Sequence, residues 1–327
     1  MNPDDDTLGR SDPFYAPLQR ALGLLGLNTR VFFAAIANKP SRTIPTFPAF
    51  ITADKLIAYG ILVLMTFLLI DPLTKTLSIL TPEAAKVTFR SITVFGASHW
   101  YLVPAGVPVV LAACVDWRRV SRRVRTGVQT ILWQASALFA AVAISGISVN
   151  LLKRAIGRAR PKLMDDVGVY GFDPFAFTST FASFPSGHST TIGAVAVFAV
   201  IIFPRWVWTI VAIALIIGWS RVVVGAHYPS DIVAGLAFGA LFAWGTLSFF
   251  AARRLGFEKG VARSGPHAFV APRRVNLPLA AFVHDTLVVL TTSWTKELPK
   301  GSNGAKKRGE YADAAAETSG AQQTGQL

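Results

Sequence analysis

The chain has 327 residues, of which 52% are hydrophobic and 15% are charged. Soluble domains carry about 25% charged residues, so this composition excludes an ordinary soluble enzyme and indicates an integral membrane protein. The 32 basic and 18 acidic residues give a formal net charge of +14, which is typical of a protein that contacts anionic headgroups or anionic substrates. Nucleic acid fits less well, because the basic residues lie between apolar runs and form no single basic face.

The first predicted element is an amphipathic helix at residues 17–37, which we expect to lie on the membrane surface. Apolar runs follow, and a bilayer core requires about 20 such residues for each helix. They cover residues 56–70, 91–115, 126–152, 184–203, 206–220 and 232–252. The predicted fold class is therefore all-α, a polytopic membrane protein with six transmembrane helices.

The sequence divides into four predicted segments. Residues 1–50 form a cytoplasmic amphipathic N-terminal segment, and residues 51–255 form the six-helix domain. Residues 256–295 are expected in the cytoplasm, and their association with the membrane is left open. Residues 296–327 are small, polar and charged, so we expect a disordered tail.

Basic loops set the predicted orientation. Residues 117–125 contain five arginines, which favours the cytoplasm for this loop and, with six spans, for both termini. The loop after the third run then faces outward, although it also carries basic residues, which the positive-inside rule disfavours. These are Lys153, Arg154, Arg158, Arg160 and Lys162. Function is expected to require them; for Arg154, Arg158 and Lys162, contact with substrate and contact with headgroups both remain open.

Polar residues recur at the outward ends of four predicted helices. They are Lys153 and Arg160 after the third, Ser186, Gly187 and His188 at the start of the fourth, Arg221 at the end of the fifth, and His227 and Asp231 at the start of the sixth. Ionisable residues at membrane depth are costly and indicate function. Three fixed cations, two imidazoles and one carboxylate at one level are typical of a phosphoryl site, and the active site is predicted at these outward ends.

Each residue type matches one requirement of phosphate binding. The cations Lys153, Arg160 and Arg221 can neutralise the non-bridging oxygens. Ser186 and Gly187 lie at a helix N-terminus, where free N–H groups attract an anion and glycine permits close approach. This set of groups can bind phosphate without a metal ion.

The two histidines supply the reaction chemistry. One imidazole can attack phosphorus in line, while the other protonates the departing oxygen. The residue types alone leave open which histidine attacks. Asp231 follows His227 by four residues, hence one helical turn, and can accept a hydrogen bond from the other ring nitrogen.

These motifs resemble those of a known family. Lys153-x6-Arg160-Pro161, Pro185-Ser186-Gly187-His188 and Ser220-Arg221-x5-His227-x3-Asp231 are similar to the three signature motifs of the type 2 phosphatidic acid phosphatase superfamily, which includes lipid phosphate phosphatases and vanadium haloperoxidases. The resemblance covers residues 56–252. It implies the integral-membrane branch, because the haloperoxidases are soluble and this chain is not.

The resemblance assigns a role to each matching position. It implies that His227 is the nucleophile, that His188 is the general acid and then activates water, and that Asp231 orients His227. It implies that the phosphate is bound by Lys153, Arg160, Ser186, Gly187 and Arg221. It also implies a reaction with no metal ion and no cofactor. Asp165 and Asp166 could suggest Mg²⁺, but they more plausibly offset the basic loop.

The expected function is hydrolysis of a lipid phosphate monoester or diphosphate through a phosphohistidine, at the outer face of a bacterial-type inner membrane. Candidate substrates are phosphatidic acid, phosphatidylglycerol phosphate, undecaprenyl diphosphate and the lipid A phosphates, and specificity is expected in the loops at residues 75–90 and 162–184. Membrane lipids are the other expected partner, and no nucleic acid is expected. The alternatives are a lipid phosphotransferase that uses the same phosphohistidine and a non-enzymatic lipid or anion transporter.

Five phenylalanines lie in or beside the second of these loops: Phe172, Phe175, Phe177, Phe181 and Phe184. They can pack to seal the loop against lipid or guide a lipid chain toward the phosphate site, and sealing is the favoured interpretation.

Overall fold

A computed structural model describes residues 15–38, 53–261 and 268–272. The predicted tail at 296–327, most of the segment at 256–295 and half of the N-terminal segment lie outside the described residues. The helices in the described ranges are α1 (Ala16–Ala37), α2 (Ala53–Met65), α3 (Thr74–Leu80), α4 (Glu83–Thr93), α5 (His99–Ala113), α6 (Arg122–Ile156), α7 (Met164–Val167), α8 (Gly187–Ile202), α9 (Val207–Val223) and α10 (Pro229–Ala252). Two short strands follow, β1 (Phe257–Val261) and β2 (Ala268–Pro272), paired antiparallel with Phe257 opposite Pro272.

Six helical stretches in the described ranges are long and apolar enough to cross a membrane, as predicted for an integral membrane protein. Five of them match predicted runs: Ala53–Leu80, Glu83–Ala113, Arg122–Ile156, Pro204–Val223 and Pro229–Ala252. The sixth is Leu18–Ala37, which was predicted as a surface helix. The remaining predicted run forms α8, which has 16 residues and is about 24 Å long at 1.5 Å per residue. It packs against α6, α9 and α10.

The first membrane run continues past the boundary that the sequence suggested. After α2 the chain forms a π-helical turn at Thr66–Ile70 and a 3-10 turn at Asp71–Leu73, and α3 then continues the run. Pro72 lacks a backbone donor, which accounts for the irregular turn. Asp71, expected to end the span, is instead fully buried within the protein.

The segment at residues 75–90, predicted as a loop, lies almost entirely within α3 and α4. Its helicity fits a local contact: the Lys86 ammonium and the Glu83 carboxylate, three residues apart, lie 2.8 Å from each other, a spacing that stabilises helices. The segment at residues 162–184 is largely irregular, as expected, with only the short α7 and 3-10 turns.

Helices α8 and α10 approach each other closely through glycine. A Cβ atom on Gly193 would lie 2.1 Å from a backbone oxygen of α10, and one on Gly239 would lie 1.9 Å from a backbone oxygen of α8. Small residues permit such backbone contact between membrane helices. The contact brings the N-termini of both helices together, where the backbone N–H of Ser186 donates to the carbonyl oxygen of Asp231 at 3.0 Å.

Helix α1 contacts the end of the bundle that lies opposite to the N-termini of α8 and α10. The Arg20 guanidinium lies 3.7 Å from the carboxylate of Asp116, which follows α5. The Asn28 side chain donates to two carbonyl oxygens at the end of α5, at 2.8 and 2.9 Å. Near the other end of α1, the Ile36 carbonyl accepts from Arg253 at 2.7 Å, just after α10. Both ends of α1 therefore contact the same side of the bundle.

Candidate active site

The polar residues that the sequence singled out meet at one end of the bundle. Lys153 lies near the end of α6, His188 at the start of α8, Arg221 near the end of α9, and Asp231 in the first turn of α10. Lys153, Arg160, Arg221 and His227 are close enough to interact electrostatically with the His188 imidazole. The Lys153 ammonium also lies 3.2 Å from the position that a Cβ on Gly187 would occupy. Five separate segments thus form one cationic cluster.

His227 is fixed by its hydrogen bond to Asp231. Its Nδ1 lies 3.3 Å from Asp231 Oδ2, and the two residues are 2% and 0% exposed. The same carboxylate oxygen accepts from the Tyr228 backbone N–H at 2.9 Å and from the Ser183 hydroxyl at 2.6 Å. When Nδ1 donates to Asp231, Nε2 carries the free lone pair. This geometry suits a nucleophile.

Burial also sets the protonation state of His227. Removal from water lowers the pKa of His227 to about 4, while the hydrogen bond and the negative charge of Asp231 act in the opposite direction. Arg160 and Arg221 lower this pKa further. The imidazole is therefore neutral at pH 7, as nucleophilic attack requires.

The three cations of the cluster keep their charge available. Among the described residues, no carboxylate oxygen lies within 4.0 Å of Lys153, Arg160 or Arg221. Arg160 instead donates to the carbonyl oxygens of Ser179 at 2.8 Å and Ala226 at 3.3 Å. Such an excess of charge can be balanced by an anionic ligand.

Arg221 is held by a residue that the sequence did not reveal. Its guanidinium donates to the hydroxyl of Thr93, at the end of α4, at 2.8 Å. Thr93 lies 128 positions earlier in the chain, inside a run interpreted only as a membrane span. No sequence signal distinguishes it.

The start of α8 combines a cap with free donors. The Ser186 hydroxyl accepts from the Ser189 backbone N–H at 3.4 Å and contacts the Ser189 hydroxyl at 3.1 Å, and Ser186 is fully buried. Its side chain is therefore an N-cap. Helix geometry leaves the N–H groups of Gly187 and His188 without partners inside the helix, so these two donors are the ones that an anion can use.

A second glycine accommodates His188. A Cβ on Gly96 would lie 2.8 Å from Cδ2 of the His188 ring. Gly96 belongs to a 3-10 turn between α4 and α5, and any larger residue would displace the imidazole. Sequence reasoning missed this contact, because nothing in the sequence relates Gly96 to a helix that begins about 90 residues later.

Arg158 is placed differently from both alternatives that the sequence left open. It is fully buried and contacts neither substrate space nor headgroups. Its guanidinium lies 2.7 Å from Asp231 Oδ1 and 2.8 Å from Asp71 Oδ2. Arg154 donates to the Phe177 carbonyl oxygen, and Lys162 is exposed. The buried ion pairs of Arg158 are the main feature that sequence reasoning missed.

The loop at residues 162–184 forms no metal site in the described part of the chain. No group of three or more His, Cys, Asp or Glu side chains there could hold a metal ion. Asp165 pairs instead with Lys75, which links this loop to the start of α3. Phe175 and Phe177 are 70% and 86% exposed, so the favoured interpretation, that they seal the loop by packing, is wrong for these two.

A separate apolar cavity of about 1020 Å³ lies away from this cluster. Side chains of α1, α2, α5, α6 and α10 line it, including Phe32, Leu56, Phe139 and Trp244. No member of the cationic cluster contributes to its wall. The chemistry is therefore assigned to the cluster and not to the cavity.

Comparison with known proteins identifies the family of the chain. The family model of the PAP2 superfamily matches residues 134–255. A lipid A 1-phosphatase of Rhizobium johnstonii is 42% identical over 178 residues, which cover 54% of this chain and 72% of that relative. A lipid A 1-phosphatase of Rhizobium etli is 40% identical over 178 residues, which cover 54% and 76%.

Among solved structures, a transmembrane PAP2-type phosphatidylglycerolphosphate phosphatase from Bacillus subtilis aligns with a TM-score of 0.38 at 20% identity. The alignment covers 72% of this chain and 96% of that chain.

The membrane helices, the cationic cluster and the related proteins together define an integral-membrane phosphatase that acts on lipid phosphates. The chain belongs to the PAP2 superfamily, and the resemblance that its three motifs suggested is confirmed.

Proposed function

We propose that this phosphatase works through a phosphohistidine at His227 and needs no metal ion. The observation that carries the proposal is the buried His227–Asp231 pair, with Nδ1 to Oδ2 at 3.3 Å, beside three cations that lack carboxylate partners in the described chain. The carboxylate fixes the ring and stabilises the positive charge that forms on phosphorylation. The cations take the role that a metal ion has in other phosphatases.

The proposed reaction has two steps. In the first, His227 Nε2 forms a bond to phosphorus while the bond from phosphorus to the lipid oxygen breaks, and that oxygen takes a proton from His188. In the second, His188 removes a proton from water, the water oxygen bonds to phosphorus, and the bond to His227 breaks. Inorganic phosphate leaves, and both histidines return to their starting states.

The phosphate is proposed to bind between the cations and the start of α8. Lys153, Arg160 and Arg221 neutralise its oxygens, and the N–H groups of Gly187 and His188 donate to it. Ser186 contributes by capping α8, which fixes the direction of those donors. The cations also stabilise the transition state, in which negative charge is spread over the equatorial oxygens.

Among the candidate lipids, we propose lipid A carrying a phosphate at its 1-position as the preferred substrate. The support is similarity to two lipid A 1-phosphatases, at 42% and 40% identity over 178 residues each. Phosphatidic acid, phosphatidylglycerol phosphate and undecaprenyl diphosphate are the competing substrates in the test below.

We propose that the cluster faces the exterior or periplasm and that both termini are cytoplasmic. The arginines at residues 117–125 lie at the end of the bundle opposite to the cluster, which supports this orientation. Since both ends of α1 contact that same side, we propose that α1 lies along the cytoplasmic face rather than crossing the membrane. Residues 51–255 are then the phosphatase domain, residues 1–50 and 256–295 cytoplasmic segments, and residues 296–327 a tail.

The test is phosphate release by the purified protein in detergent, with EDTA present, from the four candidate lipids. The paired variants are His227→Ala and His99→Ala. His99 is an exposed histidine at the start of α5, and its ring is tilted against that of Trp100 with the centroids 5.3 Å apart, so it serves as the control histidine. We expect release in EDTA that disappears only in His227→Ala and is fastest for lipid A 1-phosphate.

Four results would contradict different parts of the proposal. Release that survives His227→Ala would remove His227 as nucleophile, and release abolished by EDTA would show that a metal ion is needed. Radioactive phosphate that appears on an acceptor lipid instead of in solution would identify a phosphotransferase. Faster release from another lipid would change the substrate and leave the mechanism unaffected.

A further inference from the structure

We propose that Arg158 and Asp71 are positioning residues that hold Asp231, and through it His227, in the orientation for attack on phosphorus. This inference rests on the proposed role of His227 as nucleophile. Asp71 lies outside the three motifs, Arg158 occupies a variable position of the first, and both side chains are fully buried.

The two oxygens of Asp231 face different partners. Oδ2 accepts from His227, Tyr228 and Ser183, whereas Oδ1 accepts from an Arg158 nitrogen at 2.7 Å. The carboxylate is therefore held from both sides, and rotation about its own bond would break one set of contacts. Arg158 is the part of this arrangement that faces away from the reacting histidine.

Asp71 completes a closed network around the first turn of α10. It accepts from the second terminal nitrogen of Arg158 at 2.8 Å and from the Ser230 backbone N–H at 2.9 Å. The Ser230 hydroxyl donates to the same Asp71 carboxylate, and the other terminal nitrogen of Arg158 lies 2.8 Å from that hydroxyl. The end of the first membrane run is thereby fixed to the helix that carries Asp231.

Two aromatic rings contact the guanidinium of Arg158. The central carbon of Arg158 lies 4.7 Å from the centroid of the Phe67 ring and 4.1 Å from that of Tyr228. Such contacts attract a cation and fix the plane of its group. Because Tyr228 immediately follows His227, the ring also connects the guanidinium to the segment that carries the nucleophile.

The buried charges of Arg158, Asp71 and Asp231 affect the electrostatic surroundings of His227. The side chains of Arg158, Asp71 and Asp231 are all 0% exposed, and a buried ion pair is often no more stable than apolar residues of similar volume. A cation between two carboxylates leaves one net negative charge. That charge lies beside His227, which would become cationic when phosphorylated.

The charged groups around His227 divide into two sets. The positive potential comes from Lys153 on α6, Arg160 in the following loop and Arg221 on α9, with the imidazole of His188 on α8 as a further titratable group. The second set is the buried network of Asp231, Arg158 and Asp71. Removing Arg158 makes the surroundings of His227 more negative and favours its protonation, whereas removing the charge of Asp71 has the opposite sign.

The experiment compares Asp71→Asn, Arg158→Lys and Arg158→Met with wild-type protein, using the best lipid substrate. Asp165→Asn is the matched control, because this carboxylate is also paired with a cation but is 75% exposed. We expect kcat to fall about 10- to 100-fold in Asp71→Asn and Arg158→Lys, with KM changed less than about threefold. The acid limb of the pH profile of kcat/KM should move to lower pH in Asp71→Asn and to higher pH in Arg158→Met.

Gel filtration and thermal unfolding in detergent accompany each variant. If Arg158→Met does not fold, the pH shift of Asp71→Asn decides. Full kcat in Asp71→Asn, or a lower kcat with an unmoved acid limb, would overturn the positioning role and leave a structural one. Failure of the proposed function is recognised separately, because His227→Ala would then keep its activity.

Discussion

Two arginines separated by one residue belong to regions with opposite electrostatics. Arg158 is fully buried and has two carboxylate partners at 2.7 and 2.8 Å. Arg160 is partly exposed, and its hydrogen bonds in the described chain go to backbone carbonyl oxygens. The first charge is used inside the protein, and the second remains for a ligand. Position in a basic loop therefore does not define function, whereas the partners of each charge do.

The largest expected effect is a difference in folding stability between variants of the two arginines. Arg158→Met leaves the carboxylates of Asp71 and Asp231 both buried without their shared cation, so we expect a loss of about 3–5 kcal/mol in the free energy of unfolding. Arg160→Met removes only contacts to carbonyl oxygens and should lose less than about 1 kcal/mol. Thermal unfolding of both variants in the same detergent measures the difference. Equal losses would show that the contrast in burial has no energetic meaning.

Phosphate binding should separate the same two positions in the other direction, because the Arg158 variants are expected to change kcat and not KM. Arg160→Met removes a charge that we propose binds the phosphate, so we expect kcat/KM to fall about 100-fold and inhibition by vanadate to weaken in parallel. Arg160→Lys keeps the charge but not the fork, and its loss should be intermediate. Steady-state kinetics with vanadate titrations provide the measurement. Vanadate inhibition unchanged in Arg160→Met would exclude this residue from the phosphate site.

The low pKa of His227, about 4, links stability to pH. Between about pH 6.5 and pH 4 the unfolded chain binds a proton that the folded chain does not, so the stability contributed at higher pH is lost as the pH falls. The loss is about 1.4 kcal/mol for each pH unit. His227→Gln cannot take up this proton, so the melting temperature of wild type should fall relative to the variant below pH 6.5. A constant difference between the two would indicate an ordinary pKa for this histidine.

The smallest expected effect concerns the support of His188. Gly96→Ala places a methyl group 2.8 Å from the imidazole, which forces the ring away from its position, and we expect kcat to fall about tenfold or less. Gly146→Ala is the matched control, because no atom lies within 4 Å of its added Cβ. Activity assays of the two glycine variants test this contact. A normal kcat in Gly96→Ala would mean that His188 can adjust its orientation without cost.

Sequence patterns identified the membrane runs more reliably than their ends. The uncharged run at 126–152 is contained in α6, because a long apolar segment has few alternatives to a membrane helix. Asp71 was interpreted as a boundary, since a charge normally ends a span. The structure places it inside the protein, because its partner Arg158 lies 87 positions away, and a single sequence does not reveal such a pair.

The candidate site was predictable where its chemistry is local. His227 and Asp231 are four residues apart, and Pro185, Ser186, Gly187 and His188 are consecutive, so a short pattern contains both units. Thr93 and Gly96 were missed because their contacts with Arg221 and His188 exist only after α4, α8 and α9 pack together.

The sequence by itself determined the membrane location, the superfamily motifs and the residue types of the site, since hydropathy and short motifs depend on neighbours along the chain. Only the tertiary structure decided which basic residues are paired with buried carboxylates and which have no carboxylate within 4.0 Å in the described chain. Arg158 and Arg160 have the same side chain and nearly the same position in sequence. Burial and the presence of carboxylates from distant segments separate them, because the energy of a charge depends on its surroundings in three dimensions.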